Sequence, residues 1–153
     1  MTNPPNQIIP NFSSVYLLED QSIGAGWDIV LFDIIETDGT NPSIYDPTTG
    51  EFTAPVSGWY TINVQLSINN LDGVRIIQSN DTNFPKISLP LSNSGDRVNV
   101  AYLAKLGKGE TLRVEVMNGG GATVFANSGL TPNSKASNAI FMLIKRFDDT
   151  KTF

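Results

Sequence analysis

Hydrophobic and polar residues alternate along this chain instead of recurring at helical spacing. The clearest run is YTINVQLSI, residues 60–68. In an extended strand, Tyr60, Ile62, Val64, Leu66 and Ile68 share one face, and Thr61, Asn63, Gln65 and Ser67 share the other. That pattern predicts a strand with one buried side and one polar side. TLRVEV, residues 111–116, repeats it, with Leu112, Val114 and Val116 opposite Thr111, Arg113 and Glu115. AIFMLI, residues 139–144, is apolar at every position. Such a strand needs cover on both faces, from within the domain or from another subunit.

Gly, Pro, Asn and Asp punctuate the chain too often for long helices, and the segments between them are rich in Val, Ile, Tyr, Phe and Thr. Strands are expected at 15–19, 26–36, 51–53, 58–69, 73–79, 86–91, 97–105, 110–117, 122–126 and 138–147. Ten short strands of this kind predict an all-β antiparallel sandwich, with jelly-roll topology as one of the few ways to connect them. The domain is expected over 15–148. Residues 1–14, with three of the nine prolines, read as an arm or tether, and 149–153 as a short tail.

The net charge of −5, from 15 acidic and 10 basic residues, and the lack of any basic run along the sequence argue against nucleic acid as a partner. No apolar run is long enough to insert in a bilayer, and the first residues lack the pattern of a signal peptide. With no cysteine there is no disulfide or thiolate chemistry, and with no histidine the commonest general base and transition-metal ligand are missing. Packing must therefore supply the stability.

Candidate chemistry is sparse. Asp28, Asp33, Glu36, Asp38 and Asp46 gather in and beside the first long strand. Calcium is the cation that such oxygen ligands would suit, but the spacing matches no D-x-D-x-D-G loop, and solvated strand edges explain these acids as well. No cofactor is expected. Ser88 near Lys86 offers a formal dyad without the surroundings of a nucleophile elbow. GKGET and NGGGATV lack Walker spacing and read as hairpin connections. The polar loops at 37–43, 69–72, 79–84, 92–96, 117–121 and 127–138 read equally as recognition surfaces and as hydrophilic turns.

One segment is more specific. YDPTTGEFTAPVSGWY, residues 45–60, resembles the diagnostic stretch of the C1q/tumour-necrosis-factor superfamily of globular heads, through Tyr45, Asp46, Gly50, Phe52, Thr53, Pro55, Gly58 and Tyr60. LGKGETLRVEV is similar to a second family element, through Leu106, Gly109, Glu110 in place of Asp, and Leu112. The resemblance spans about residues 16–147. Departures are Ile62 where a Phe is usual, Ser137-Asn138-Ala139 near the place of Phe-Ser-Gly, and the lack of a collagen-like stalk.

The resemblance implies a jelly-roll homotrimer without enzymatic activity, binding a surface protein or glycan through its loops. It is consistent with a bacterial or viral protein displayed on a spore, cell or virion surface. The alternative is a structural trimerising component of a spore coat, fibre or virion surface. Residues expected to carry the fold or the trimer packing are Phe52, Tyr60, Ile62, Val64, Leu66, Phe141 and Leu143. No residue is singled out as a ligand contact. The apolar faces of 60–68, 98–104 and 139–144 exceed what two facing sheets need, and closed cyclic symmetry would bury the surplus.

Overall fold

The computed structural model describes residues 12–38, 44–69, 71–83, 85–90, 97–126 and 136–147, and every regular element among them is a strand. The arm up to residue 11, the tail from 148, the loop at 92–96, most of those at 37–43 and 127–138, and the side chains of Asp38 and Ser88 lie outside the described residues. The strands are β1 (Phe12–Tyr16), β2 (Gln21–Ile23), β3 (Gly26–Ile29), β4 (Ile34–Asp38), β5 (Tyr45–Asp46), β6 (Glu51–Thr53) and β7 (Gly58–Ser67). They continue with β8 (Gly73–Gln78), β9 (Ile87–Pro90), β10 (Arg97–Leu106), β11 (Thr111–Asn118), β12 (Ala122–Val124) and β13 (Asn138–Arg146).

A five-stranded sheet runs in the order β10-β7-β13-β1-β4, and a second runs β5-β6-β11-β8-β9. β3 joins the second sheet on β11, beside residues 115–118, while β6 pairs with 111–112 of the same strand. β12 and β2 form a two-stranded ribbon. All these pairings are antiparallel, which is the arrangement the alternating patterns require.

The alternation in β7 is realised almost residue by residue. Tyr60, Ile62, Val64 and Leu66 are buried, and Trp59 and Asn63 are exposed. Opposite them, Phe52, Val74, Ile76, Leu112, Val114 and Val116 close the core from the second sheet. The two layers are joined through aromatic rings. Phe141 stacks on Phe52 with centroids 4.8 Å apart and planes 3° from parallel, and Tyr60 meets Phe52 edge-on at 5.6 Å. Leu143 is partly buried against this core.

The segment 26–36, expected as one strand, is two. β3 pairs with β11 in one sheet and β4 with β1 in the other, so the chain changes layers across residues 30–33. Val30 and Phe32 are buried at the crossing, and the Phe32 N–H donates to the Tyr45 hydroxyl at 3.1 Å. Its apolar run is that of a crossing through the core. The first strand also begins earlier than 15–19: Phe12, Ser13 and Ser14, placed in the arm from sequence, pair with β13, and the two serines pair with β4 as well. A buried serine at an inward position hid that alternation. β2 and β5, two or three residues long, were too short for the pattern to reveal.

Ser13 is fully buried, and its hydroxyl has no hydrogen-bond partner among the described residues. Leaving a buried hydroxyl unsatisfied costs about 1–3 kcal/mol, so Ser13→Ala is expected to stabilise the fold by about 1 kcal/mol. A higher urea midpoint with an unchanged slope would bear this out, and a drop of similar size would show that the hydroxyl has a partner.

Candidate functional site

The signature segment 45–60 is built for positioning. The Asp46 carboxylate accepts from the Thr48 hydroxyl at 2.6 Å and the Thr48 N–H at 2.8 Å, closing the turn, and the Gly50 N–H donates to the Asp46 carbonyl. Those Thr48 side-chain and backbone bonds hold the Asp46 carboxyl below its ordinary range. Gly50 has φ of 73°, and a Cβ there would stand 2.8 Å from Ile29 Cγ2, so both conformation and space demand glycine. Gly58 is required by space alone, since a Cβ would lie 2.5 Å from the Lys145 carbonyl oxygen of β13. The Tyr60 hydroxyl donates to the Val56 carbonyl at 2.6 Å, fixing the turn that feeds β7.

Tyr45 is buried beside Phe141, with ring centroids 5.8 Å apart. Burial pushes its phenol well above the ordinary value, and burial raises Tyr60 in the same direction. A phenol with a raised folded value contributes stability that is complete below its unfolded pKa of about 10 and is lost above it. Unfolding monitored from about pH 9 to 12 should show a falling midpoint, less steep in Tyr45→Phe. A midpoint indifferent to pH in that window would contradict the burial of these hydroxyls.

The five-stranded sheet leaves one face uncovered by the rest of the described chain. Strand register arranges its side chains into rows across β10, β7 and β13. From one end these are Asn99–Gln65–Asn138, Ala101–Asn63–Ile140, Leu103–Thr61–Met142 and Lys105–Trp59–Lys145. Leu103, Ile140 and Met142 are 52%, 37% and 40% exposed, which is unusual for large apolar side chains gathered on one sheet. A bulge between Leu143 and Lys145 places Ile144 at the lower end, also exposed. A shallow depression of about 260 Å³ opens at the other end among Asn63, Gln65, Asn99, Ala101, Asn138 and Ile140. The second face of AIFMLI therefore lies open in the single chain.

The opposite sheet carries a charge cluster absent from the sequence reading. Glu115 Oε1 accepts from Arg75 Nε at 2.8 Å and Nη2 at 2.6 Å, while Oε2 accepts from Arg113 Nε at 2.7 Å. The Arg75 guanidinium sits 4.1 Å from the centre of the Trp27 ring. Glu115, expected on a wet face, is thus buried between two arginines. Position 75 is forty residues from 115, so no linear pattern announces the pair.

Of the acidic residues weighed for a cation, several serve backbone groups. Asp28 accepts from the Gly24 and Ile29 N–H groups, and Asp33 from that of Leu18. Among the described residues no group of three or more acids comes together as a metal site. No helix of the described residues is long and apolar enough to cross a membrane. Phe52, Tyr60, Ile62, Val64, Leu66 and Phe141 all lie in the core of the single chain.

Residues 13–141 match the C1q domain family. No curated protein matches the sequence. Among solved structures, the globular domain of zebrafish complement 1qA protein is 23% identical with a TM-score of 0.61, covering 90% of this chain and 99% of that one. The Eiger TNF of S. frugiperda is 11% identical with a TM-score of 0.64, covering 95% and 99%. Murine APRIL is 11% identical with a TM-score of 0.62, covering 88% and 99%. At these identities the structural likeness speaks for the fold.

Proposed function

The chain belongs to the C1q domain family, and from that membership we propose that it is a non-enzymatic, homotrimeric head that binds a surface protein or glycan. Family members form trimers and bind ligands. The observation that carries the reading here is the uncovered apolar patch of Leu103, Ile140 and Met142, spread over two adjacent rows of the five-stranded sheet. Three copies around an axis would remove this surface from water, at about 25 cal/mol per Å² of apolar area. The residues ahead of β1, up to residue 11, serve as the tether, and the head is displayed on a spore, cell or virion surface.

The reading is tested with purified protein applied to glycan and protein arrays, beside a Met142→Asp variant. The expected result is retained binding by the parent and dissociation into monomers for the variant, because a desolvated carboxylate would face the apolar row. Assembly into a particle with no ligand on either array would favour the structural trimerising unit instead. Turnover of a glycoside or ester panel, abolished by one carboxylate substitution, would overturn the non-enzymatic reading.

A further inference from the structure

Covering the five-stranded sheet with other copies encloses the two ends of its open face as well as the apolar patch between them, and the ends differ in chemistry. At one end, Asn63 and Asn99 carry amides, which both donate and accept, so each can pair with its counterpart in another copy. At the other end, Lys105, Trp59 and Lys145 stand side by side on three neighbouring strands, in the row next to Leu103 and Met142. Lys108, in the turn that leaves β10, and Arg146, at the end of β13, lie at the same end. These are four of the ten basic residues of a chain whose net charge is −5. A lysine only donates, and it repels its counterpart in another copy. Lys105 Nζ lies 5.3 Å from the centre of the Phe147 ring, and no described carboxylate pairs with Lys105 or Lys145. Glu110, the acid of the adjoining turn, is engaged by Gln78 and Ser79.

Rotation about a symmetry axis leaves height along that axis unchanged, so a closed trimer repeats the lysine row once per copy at a single level. One chain offers two ammonium groups on alternate strands, about 10 Å apart by strand spacing, and the neighbouring copies supply the rest of a cationic ring. We propose that the lysine ends of three copies together form a site for a compact polyvalent phosphate, which holds that end of the interface shut. Each phosphate group brings up to about two negative charges near neutral pH, a density that converging lysines can match. Lysine suits the task because its ammonium is a point charge on a flexible stem and can turn towards clustered oxygens from any side. Without the anion, like charges oppose the closure that Leu103, Ile140 and Met142 favour, and assembly then depends on the anion as well as on protein concentration. The site rests on the trimeric reading, since it does not exist in one chain.

The test follows the 153-residue chain by sedimentation equilibrium over a range of protein concentrations, in sodium chloride and in tripolyphosphate at matched ionic strength. At about a hundred times its dissociation constant, one anion per trimer should lower the protein concentration of half-assembly about tenfold. Equilibrium dialysis should find one tripolyphosphate for every three chains. Lys105→Gln with Lys145→Gln should assemble in chloride as readily as the parent does in tripolyphosphate, and the anion should then shift it less than twofold. Should the double variant fold poorly, Lys145→Gln alone should reduce the shift to about threefold, since one of the two charges remains. Trimers indifferent to tripolyphosphate, as when Asp148 and Asp149 neutralise the lysines from the end of the chain, would overturn the site and leave the trimer standing. One anion bound per chain, or lysine variants that keep the full shift, would do the same. A parent that stays monomeric in both salts refutes the trimer, and the site with it.

Discussion

Glu115→Ala is expected to destabilise the protein by about 3–5 kcal/mol, as breaking a buried ion pair from one side does. The carboxylate is the only described counter-charge for Arg75 and Arg113, whose side chains retain 13% exposure against 5% for Glu115 itself. Its removal strands two largely desolvated guanidiniums, and Trp27 can offset only part of the loss for one of them. Because the cluster is shielded from solvent, added salt should change the effect little. Replacing all three charged residues with apolar ones of similar volume should come out near neutral, since the desolvation cost leaves with the attraction. Urea unfolding of the single and triple variants measures both. A Glu115→Ala midpoint close to that of the parent would show that the arginines reach water.

Phe141→Ala is expected to have an effect of similar size, about 3–5 kcal/mol, by leaving a cavity between the layers. Its ring lies flat on Phe52 and against Tyr45, so one truncation removes the contact that joins β13 to β6 and β5. Domains commonly have only about 5–15 kcal/mol in total, so the variant should lose a large part of its cooperative unfolding. Phe141→Leu should recover much of the loss by refilling the space. Near-ultraviolet dichroism during thermal unfolding reads the aromatic packing directly, and an unchanged signal and midpoint for Phe141→Ala would contradict the ring geometry.

Strands whose alternation is uninterrupted were legible in sequence, because a half-buried sheet imposes a period of two on side chains that must choose between core and water. β7 and β11 are the clearest cases. Legibility ended where local pattern and tertiary role diverge. The inward hydroxyl of Ser13 broke the alternation of β1, and the apolar run 29–32 joined two segments that belong to different sheets. Glu115 looked like a solvated residue because its neutralising partner comes from β8. The rows of the open face depend on register between strands far apart in the chain, so Lys105, Trp59 and Lys145 carry no shared signal along the sequence. The signature segment was legible because its glycines, carboxylate and aromatic rings each answer to a local constraint, a turn or a close approach. The uncovered face was foreshadowed by AIFMLI, which sequence left between core and interface. Its alternate residues divide between the two, with Ala139 and Phe141 inside and Ile140 and Met142 outside.

The central claim is that the sheet bearing Leu103, Ile140 and Met142 is covered by other copies of the same chain. Sedimentation equilibrium of the 153-residue chain at micromolar concentration decides it. The expected mass is three times 16.6 kDa. A stable species of one chain's mass, holding its fold with those side chains in water, would contradict it.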